Sequence, residues 1–542
     1  MEIKKFQHFV TRNKLDSKPF QMECFKWCIE QEQAEHMPAE HMPADHMPAE
    51  HMPIKRGGIL ALEMGLGKTI IMLGLIKCNI KTQTLIVLPR ALLEQWNKSI
   101  IQFCGCKPLV YHGSRRKNMK MSLLEVKASP IVITTYGQIS LSNKVRKRSL
   151  LHDIQWSRII CDEAHHVSHE KTNEYKGVLA LRTELCWLVT GTPIQNDEKE
   201  LYNLYSLFGL PNKRTYYSGD NYEKFAQQFI FYKTKASAGL VLPTLHEHNE
   251  VVEWENDSER EFAMHIHSLL EFCQISPKPI ATQIQSETEN INALRMKYLS
   301  RAQQVCAYPP LLQRPMAQFA NTLIQLTEAE ASVYPEMDMP ELYFSQSKVN
   351  AVVKTLLARK ANGCGKIVFC QFYAEIDAYA ACLGLADPTL HIAKFDGRVP
   401  VHERDALLKR PVDILVAQIK MCREGLNMQD NYSEVYFPSP HFNPATEQQA
   451  IARCWRMGQK KEVHVFRYRL GGAPPTTPHS READAIEVLI SEREESIPSN
   501  LAPMGCASPL TLDMYTAQLH LKKNEYVKRM VSGVAPPKRA DA

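Results

Sequence analysis

The 542-residue sequence is defined first by what it lacks. No apolar run reaches the roughly 18 residues that span a bilayer; the longest candidate, from Gly57 to Ile76, is interrupted by Glu63 and Lys68. The first residues, Met1 to His8, have no apolar signal-peptide segment, so an intracellular protein with no membrane partner is expected. The 15 cysteines include no CxxC pair, and Cys104 and Cys106 have no second half; zinc ribbons and RING-type sites need paired ligands at short spacing, so no structural zinc is expected. Cys161, Cys186 and Cys370 lie inside apolar runs, where cysteine acts as a small buried hydrophobe in a reducing compartment. The formal charge of +6 is small for this length. It permits a polyanionic partner without requiring one.

Hydrophobic content of 44% and charged content of 23% fit a soluble chain long enough for several domains. One segment, 34–53, repeats A-E-H-M-P or A-D-H-M-P. A proline every five residues forbids a continuous helix, and we read the segment as a solvated, duplicated loop. Its histidines, His36, His41, His46 and His51, admit a metal-binding reading as the alternative. Elsewhere, short strand-like runs alternate with helical lengths. The first series is Gly58–Leu62, Thr84–Leu88, Ile131–Thr134, Arg158–Cys161 and Cys186–Val189. The second is Lys366–Cys370, Asp413–Val416, Ser433–Phe437 and Val463–Phe466. That alternation predicts an α/β fold with two parallel-sheet lobes. The lobes are expected at 1–197 and 347–470, with an α-helical insertion and linker at 198–346. A C-terminal helical segment and basic tail should follow at 471–542.

The first strand runs into E-M-G-L-G-K-T, Glu63 to Thr69, followed by a helix. This is the strand–loop–helix context of a phosphate-binding loop. Gly65 and Gly67 let backbone N–H groups approach an anion, and the helix presents its positive end to the same point. Lys68 is then the phosphate lysine, and Thr69 offers a hydroxyl to Mg²⁺. Leu62 stands where the strict pattern has its first glycine. Downstream, I-I-C-D-E-A-H ends an apolar strand, with Asp162 placed to hold Mg²⁺ and Glu163 to activate water. Thr190, Gly191 and Thr192 form a small hydroxyl-rich turn at the end of another strand.

With these residues in place, the chain resembles the Swi/Snf family of helicase-like ATPases from about Lys18 to Leu470. Lys18-Pro19-Phe20-Gln21 resembles the adenine-recognition motif, with Gln21 as reader. The stretch Gly57–Thr69 resembles the family loop, so Leu62, Glu63, Met64, Gly65, Leu66, Gly67, Lys68 and Thr69 are expected around ATP. Leu62 occupies a position that is usually acidic. Segments Leu85–Trp96, Tyr111–Gly113 and Ile131–Tyr136 resemble those that face DNA. Gln304–Pro309 and Ser347-Lys348 resemble the entry to the second lobe, and Lys366–Phe372, Phe395–Arg398 and Gly425–Asn427 its later motifs. Asn443 to Gln459, N-P-A-T-E-Q-Q-A-I-A-R-C-W-R-M-G-Q, is similar to the sixth motif of the repair and transcription-termination branch, here without a RING.

The resemblance implies two RecA-like lobes sharing one ATP and Mg²⁺ site, with double-stranded DNA as partner and protein–DNA complexes as substrates. Arg453 and Arg456, three apart and so expected on one helix face, would act as arginine fingers, with Gln459 beside the nucleotide. It also implies DNA contacts from Thr135, Gln371 and Asn427, and coupling through Thr190, Gly191, Thr192 and Gly425. Basic runs Arg115–Lys117 and Lys144–Arg148 would add to a DNA groove or remain solvated loops. The setting expected is the nucleus or another site of DNA transactions, with a virion or host cell if the source is a large DNA virus. A strand-separating helicase, a transcription-associated triphosphatase and an ATPase-dead DNA-binding scaffold are the competing readings. Met421, Cys422, Arg423 and Glu424 replace the small residues usual before Gly425. Restoring glycine with Cys422→Gly plus Arg423→Gly should change the ratio of DNA-stimulated to basal ATP hydrolysis; an unchanged ratio counts against a coupling role for this stretch.

Overall fold

The computed structural model describes residues 1–16, 18–34, 55–113, 122–142, 148–192, 198–209, 221–275, 299–312, 346–410, 412–422, 427–471 and 511–521, the last without 515, 518 and 519. The repeat beyond Ala34, the two basic runs apart from Arg148, Arg423–Gly425 and most of the C-terminal segment expected at 471–542 lie outside the described residues. Among those described, no helix is long and apolar enough to cross a membrane. The chain divides into two compact units, with the boundary between Val241 and Leu242.

In the first unit, strands β1 (Arg56–Leu62), β2 (Thr84–Leu88), β3 (Leu109–Tyr111), β4 (Ile131–Thr135), β6 (Arg158–Asp162), β8 (Leu185–Thr190) and β9 (Ile230–Lys233) form a sheet ordered β3-β4-β2-β6-β8-β1-β9. Every pairing in it is parallel. The two-residue strands β5 (Gln155–Trp156) and β7 (Arg182–Thr183) pair separately. The central strands are buried along their length, as the sheet is covered on both faces. Three helices matter for the site: α1 (Glu2–Arg12), α2 (Pro19–Gln33) and α3 (Lys68–Cys78), which pack with Leu60, Leu62 and Trp187 in one core.

A buried ion pair locks the amino-terminal edge of this sheet. Glu32, near the end of α2, and Arg158, the first residue of β6, are both fully buried. Arg158 Nε and Nη2 donate to the two Glu32 oxygens at 2.6 Å each. Trp187 Nε1 donates to the same carboxylate at 2.9 Å and Asn79 Nδ2 at 2.6 Å. Asn79 O in turn accepts from Arg158 at 2.8 Å, so the ends of α2 and α3 and the start of β6 share one network.

The second unit has strands β10 (Leu245–Val252), β11 (Lys366–Cys370), β12 (Ile392–Phe395), β13 (Ile414–Gln418), β14 (Glu434–Phe437) and β15 (Val463–Leu470). They form an all-parallel sheet ordered β10-β15-β14-β11-β13-β12. Residues 511–521 return to this unit. Asp513 pairs with the buried Lys348, and its carboxylate accepts from Leu470 N at 3.1 Å. The two-lobe α/β architecture therefore matches the alternation in the sequence, and each of the nine expected strands is present with ends shifted by a few residues at most.

The stretch 198–346 differs from a helical insertion. Its first part supplies β9 to the first sheet and its next part supplies β10 to the second. A helix is present in it as Asp257–Ile275, on the second unit's core. β10 hides in the sequence because an edge strand needs little apolar alternation: of L-H-E-H-N-E-V-V only Val252 is buried. Replacing Glu32 with Gln should destabilise the first unit by about 3–5 kcal/mol, because it leaves Arg158 charged and buried. Urea unfolding followed by tryptophan fluorescence measures this.

Candidate active site

The carboxyl ends of β6, β8 and β1, neighbours in the first sheet, carry the residues that the motifs single out. β1 ends at Leu62 and α3 begins at Lys68, so the phosphate loop is the five residues between. Gly67 closes it at φ 84°, the left-handed region that glycine enters freely. A Cβ there would stand 2.7 Å from Gln21 Nε2. The bare backbone lets Gln21 reach Leu66 O, to which it donates at 3.3 Å. α2 thus brings Gln21 to the loop, where it is 7% exposed.

Lys68 Nζ donates to Leu62 O at 2.9 Å, which folds the ammonium back over the loop. A Cβ on Gly191 would lie 3.2 Å from that nitrogen and 3.0 Å from Met64 Cγ. The Thr190–Thr192 turn therefore sits directly against the Lys68 ammonium. It is held by Thr192 N donating to Thr190 Oγ1 at 3.1 Å and Thr190 Oγ1 donating to Thr192 O at 3.2 Å. Thr69 is half-buried in the first turn of α3.

Leu62, Met64 and Leu66, expected around the nucleotide, turn their side chains away from solvent. All three side chains are buried, Leu62 and Leu66 completely, so what they can offer an anion is backbone. An acidic side chain at 62 would enter the apolar core of this unit, which is why leucine fits there.

Asp162 is 4% exposed at the end of β6. Its Oδ2 accepts from Trp96 Nε1 at 2.7 Å and its Oδ1 from Glu163 N at 3.0 Å. Tyr136 OH donates to Asp162 O at 2.7 Å. Burial, reinforced by the Glu163 carboxylate, pushes the Asp162 carboxyl up to about 7, while Trp96 and Lys68 oppose the rise. Glu163 itself has φ 51°, a strained conformation for a residue with a side chain. Its Oε2 lies 3.3 Å from His165 Nδ1, and the His165 ring stacks on His166 at 4.7 Å between centroids.

Trp96, Tyr136, His165 and Lys235 are positions whose part in the site the motifs alone did not assign. Trp96 and Tyr136 lie in segments expected to face DNA, yet both donate to Asp162. Lys235 becomes relevant only because β9 joins the sheet. Its backbone N donates to Glu63 Oε2 at 2.7 Å, and its buried ammonium lies 3.3 Å from Glu63 Oε1. Thr135 ends β4 and is 5% exposed, with His112 Nδ1 at 3.2 Å from its hydroxyl.

In the second unit the helix Pro444–Cys454 carries Arg453 in its last turn. Arg456 is not on that helix. Trp455 ends it at φ −93°, ψ 84°, with its indole donating to Pro243 O at 2.8 Å. The spacing of three therefore does not put the two arginines on one helical face. Arg456 Nη1 instead donates to Asn427 Oδ1 at 2.5 Å, and burial lowers its pKa, with Asp430 opposing.

Two of the expected polar site residues have hydrogen-bond partners within the second unit. Gln459 Nε2 donates to Tyr432 O at 3.0 Å and Cys454 O at 3.1 Å, while its Oε1 accepts from Lys460 N and Lys461 N. Its amide is spent on shaping the turn after Arg456. Gln371 Oε1 accepts from Gln303 Nε2 at 2.5 Å, and its Nε2 donates to Pro440 O at 3.2 Å.

The donor set of the first unit fits a magnesium nucleotide. Left-handed glycines precede a helix start, an ammonium lies over the loop, and a carboxylate and a hydroxyl supply the hard oxygens that magnesium takes. Residues 20–296 match the SNF2-related domain, and residues 347–458 match the helicase conserved C-terminal domain. Among curated relatives, DNA repair protein RAD5B of Arabidopsis thaliana is 24% identical over 82% of this chain and 46% of its own. DNA repair and recombination protein RAD54B of Gallus gallus is 23% identical over 76% and 49%. The chain spans about half the length of these relatives. A solved structure, the Sulfolobus solfataricus SWI2/SNF2 ATPase core in complex with dsDNA, is 18% identical over 96% of this chain and 97% of that one, with a TM-score of 0.35. Carrying the SNF2-related domain over half its length and the helicase C-terminal domain after it, the chain belongs to the Swi/Snf family of helicase-like ATPases.

Proposed function

We propose that the chain hydrolyses ATP in the presence of double-stranded DNA and uses the energy to translocate along the duplex, remodelling protein–DNA complexes in transcription, repair or replication. The observation that carries the reading is the Lys68 ammonium folded over the phosphate loop beside the buried Asp162 carboxylate. The names of the relatives, which are DNA repair and recombination proteins, support the choice of DNA.

In this reading the loop amides from Glu63 to Gly67 cradle the phosphates, and Lys68 neutralises the β- and γ-oxygens. Asp162 and Thr69 would hold Mg²⁺, which supplies charge neutralisation at the transferring phosphoryl group. Glu163, strained at the strand end, orients a water and accepts its proton. Thr190 to Thr192, against Lys68, senses whether the γ-phosphate is present. Arg453 and Arg456 of the second unit supply the fixed positive charge that the family resemblance assigns to them. DNA is gripped by its phosphates, so binding is salt-sensitive and largely indifferent to sequence.

Lys68→Ala and Glu163→Gln should each reduce DNA-stimulated ATP hydrolysis by at least about a hundredfold, with DNA binding and the circular dichroism spectrum retained. A variant that still hydrolyses ATP at the starting rate would overturn the assignment. Asp162 gives an independent check. Its folded pKa lies above its unfolded one, so between the ordinary carboxylate range and about 7 the folded chain keeps a proton that the unfolded chain has lost. Its contribution to stability therefore falls as pH rises through that window. Asp162→Asn lacks the penalty, so without magnesium its gain in urea midpoint over the parent should be larger at pH 8 than at pH 5.

A further inference from the structure

The start of β15 and the strand beside it bring together a group of side chains that ATP hydrolysis does not use. β10 is the outer strand of the second sheet, and its parallel register sets His246 opposite His464 and His248 opposite Phe466. Side chains alternate along a strand, so His246 and His248 share the face that His464 also occupies. The rings of His246 and His464 stack with centroids 4.6 Å apart, and those of His248 and His464 at 5.4 Å. Glu462, just before β15, places Oε2 3.1 Å from His246 Nε2. One donor atom each from His246, Glu462 and His464 lie within 4.8 Å of one another.

The plain reading is an exposed carboxylate–imidazole contact finishing an edge strand. Three features go further. Imidazole nitrogen with one carboxylate oxygen is the donor set that zinc-class ions take, at bond lengths near 2.0–2.2 Å. A tetrahedral ion with such bonds needs its ligand atoms roughly 3.3–3.6 Å apart. His246 and Glu462 stand close to that separation, and a ring nitrogen of His464 lies within 4.8 Å of both donor atoms. Finally, His464 Nδ1 lies 3.1 Å from His248 Nε2. With Nδ1–H donating to His248, the Nε2 of His464 is left as the basic nitrogen, which is how an outer-shell partner orients a histidine ligand.

We infer that His246, His464 and Glu462 bind a divalent transition-metal ion of the zinc class, with His248 orienting His464 and water completing the shell. The ion staples β10, the first strand of the second unit, to β15. Backbone pairing there is supplemented by few apolar contacts, since Val252 is the buried residue of β10. The cysteine pattern gave no hint of this site. Its ligands come from segments 216 residues apart and include no cysteine.

The test uses the full chain with His36, His41, His46 and His51 changed to Ala, which removes the repeat as a competing zinc binder, in excess Mg²⁺ to fill the nucleotide site. After dialysis against micromolar Zn²⁺, about one zinc per chain should remain, Co²⁺ should give the visible bands of a tetrahedral site, and zinc should raise the melting temperature. His246→Ala with His464→Ala should abolish all three. Glu462→Gln, at a side chain 62% exposed and so safe for folding, should weaken zinc binding by about tenfold or more, and His248→Phe by about tenfold to a hundredfold. Retention of full zinc affinity in Glu462→Gln and His248→Phe, or no zinc in the parent, would overturn the assignment.

Discussion

The fully buried Glu32–Arg158 pair sets the geometry on which the first unit's site depends. Two unlike charges removed from water hold each other best when their other hydrogen-bonding positions are also filled; here Trp187 and Asn79 fill those of the carboxylate, and Arg158 Nη1 stays buried without a partner. The pair joins the far end of α2 to the amino end of β6, and through Asn79 to the far end of α3. α2 has 15 residues, about 22 Å of helix. Fixed at Glu32, it delivers Gln21 at its other end to the phosphate loop, where α3 begins. Each helix is thus clamped at the end away from the chemistry.

A related arrangement serves the second sheet. Glu434, buried at the amino end of β14, accepts from Arg359, Asn362 and Tyr436, with Lys366 at 3.7 Å. Lys348 is buried and is satisfied by Asp513 and Ser439, so residues from beyond β15 complete that unit's core. In both units a buried carboxylate, Glu32 or Glu434, gathers hydrogen bonds at the amino edge of the sheet. In the first, the carboxyl ends of the strands are left to carry the functional groups, the usual place for ligands in open parallel sheets.

At the carboxyl edge of the first sheet the energetic logic reverses. Asp162 is buried beside Glu163, and both the burial and the neighbouring carboxylate oppose its ionisation. Trp96 and Tyr136 hold the residue in place. Glu163 keeps a left-handed backbone that most residues avoid, a cost that the surrounding fold bears. The second unit shows a related economy. Buried Gln459 shapes the turn that carries Arg456, and the exposed Asn427 accepts from that arginine.

The sequence by itself determined the two parallel sheets, the phosphate loop, the paired carboxylates at the end of β6 and the arginine-bearing segment. Each is a local pattern: apolar strands of fixed length, glycines at a tight turn, or a motif contiguous in the chain. Only the tertiary structure decided what depends on partners distant in sequence. It showed that β9 and β10 are edge strands, that Leu62 faces the core, and that Trp96 turns inward to Asp162. It showed too that Arg456 leaves its helix to meet Asn427, and that three histidines and a glutamate meet where β10 pairs with β15. Edge strands and buried polar pairs leave little periodic signal, because their energy comes from backbone pairing and from side chains tens to hundreds of residues away.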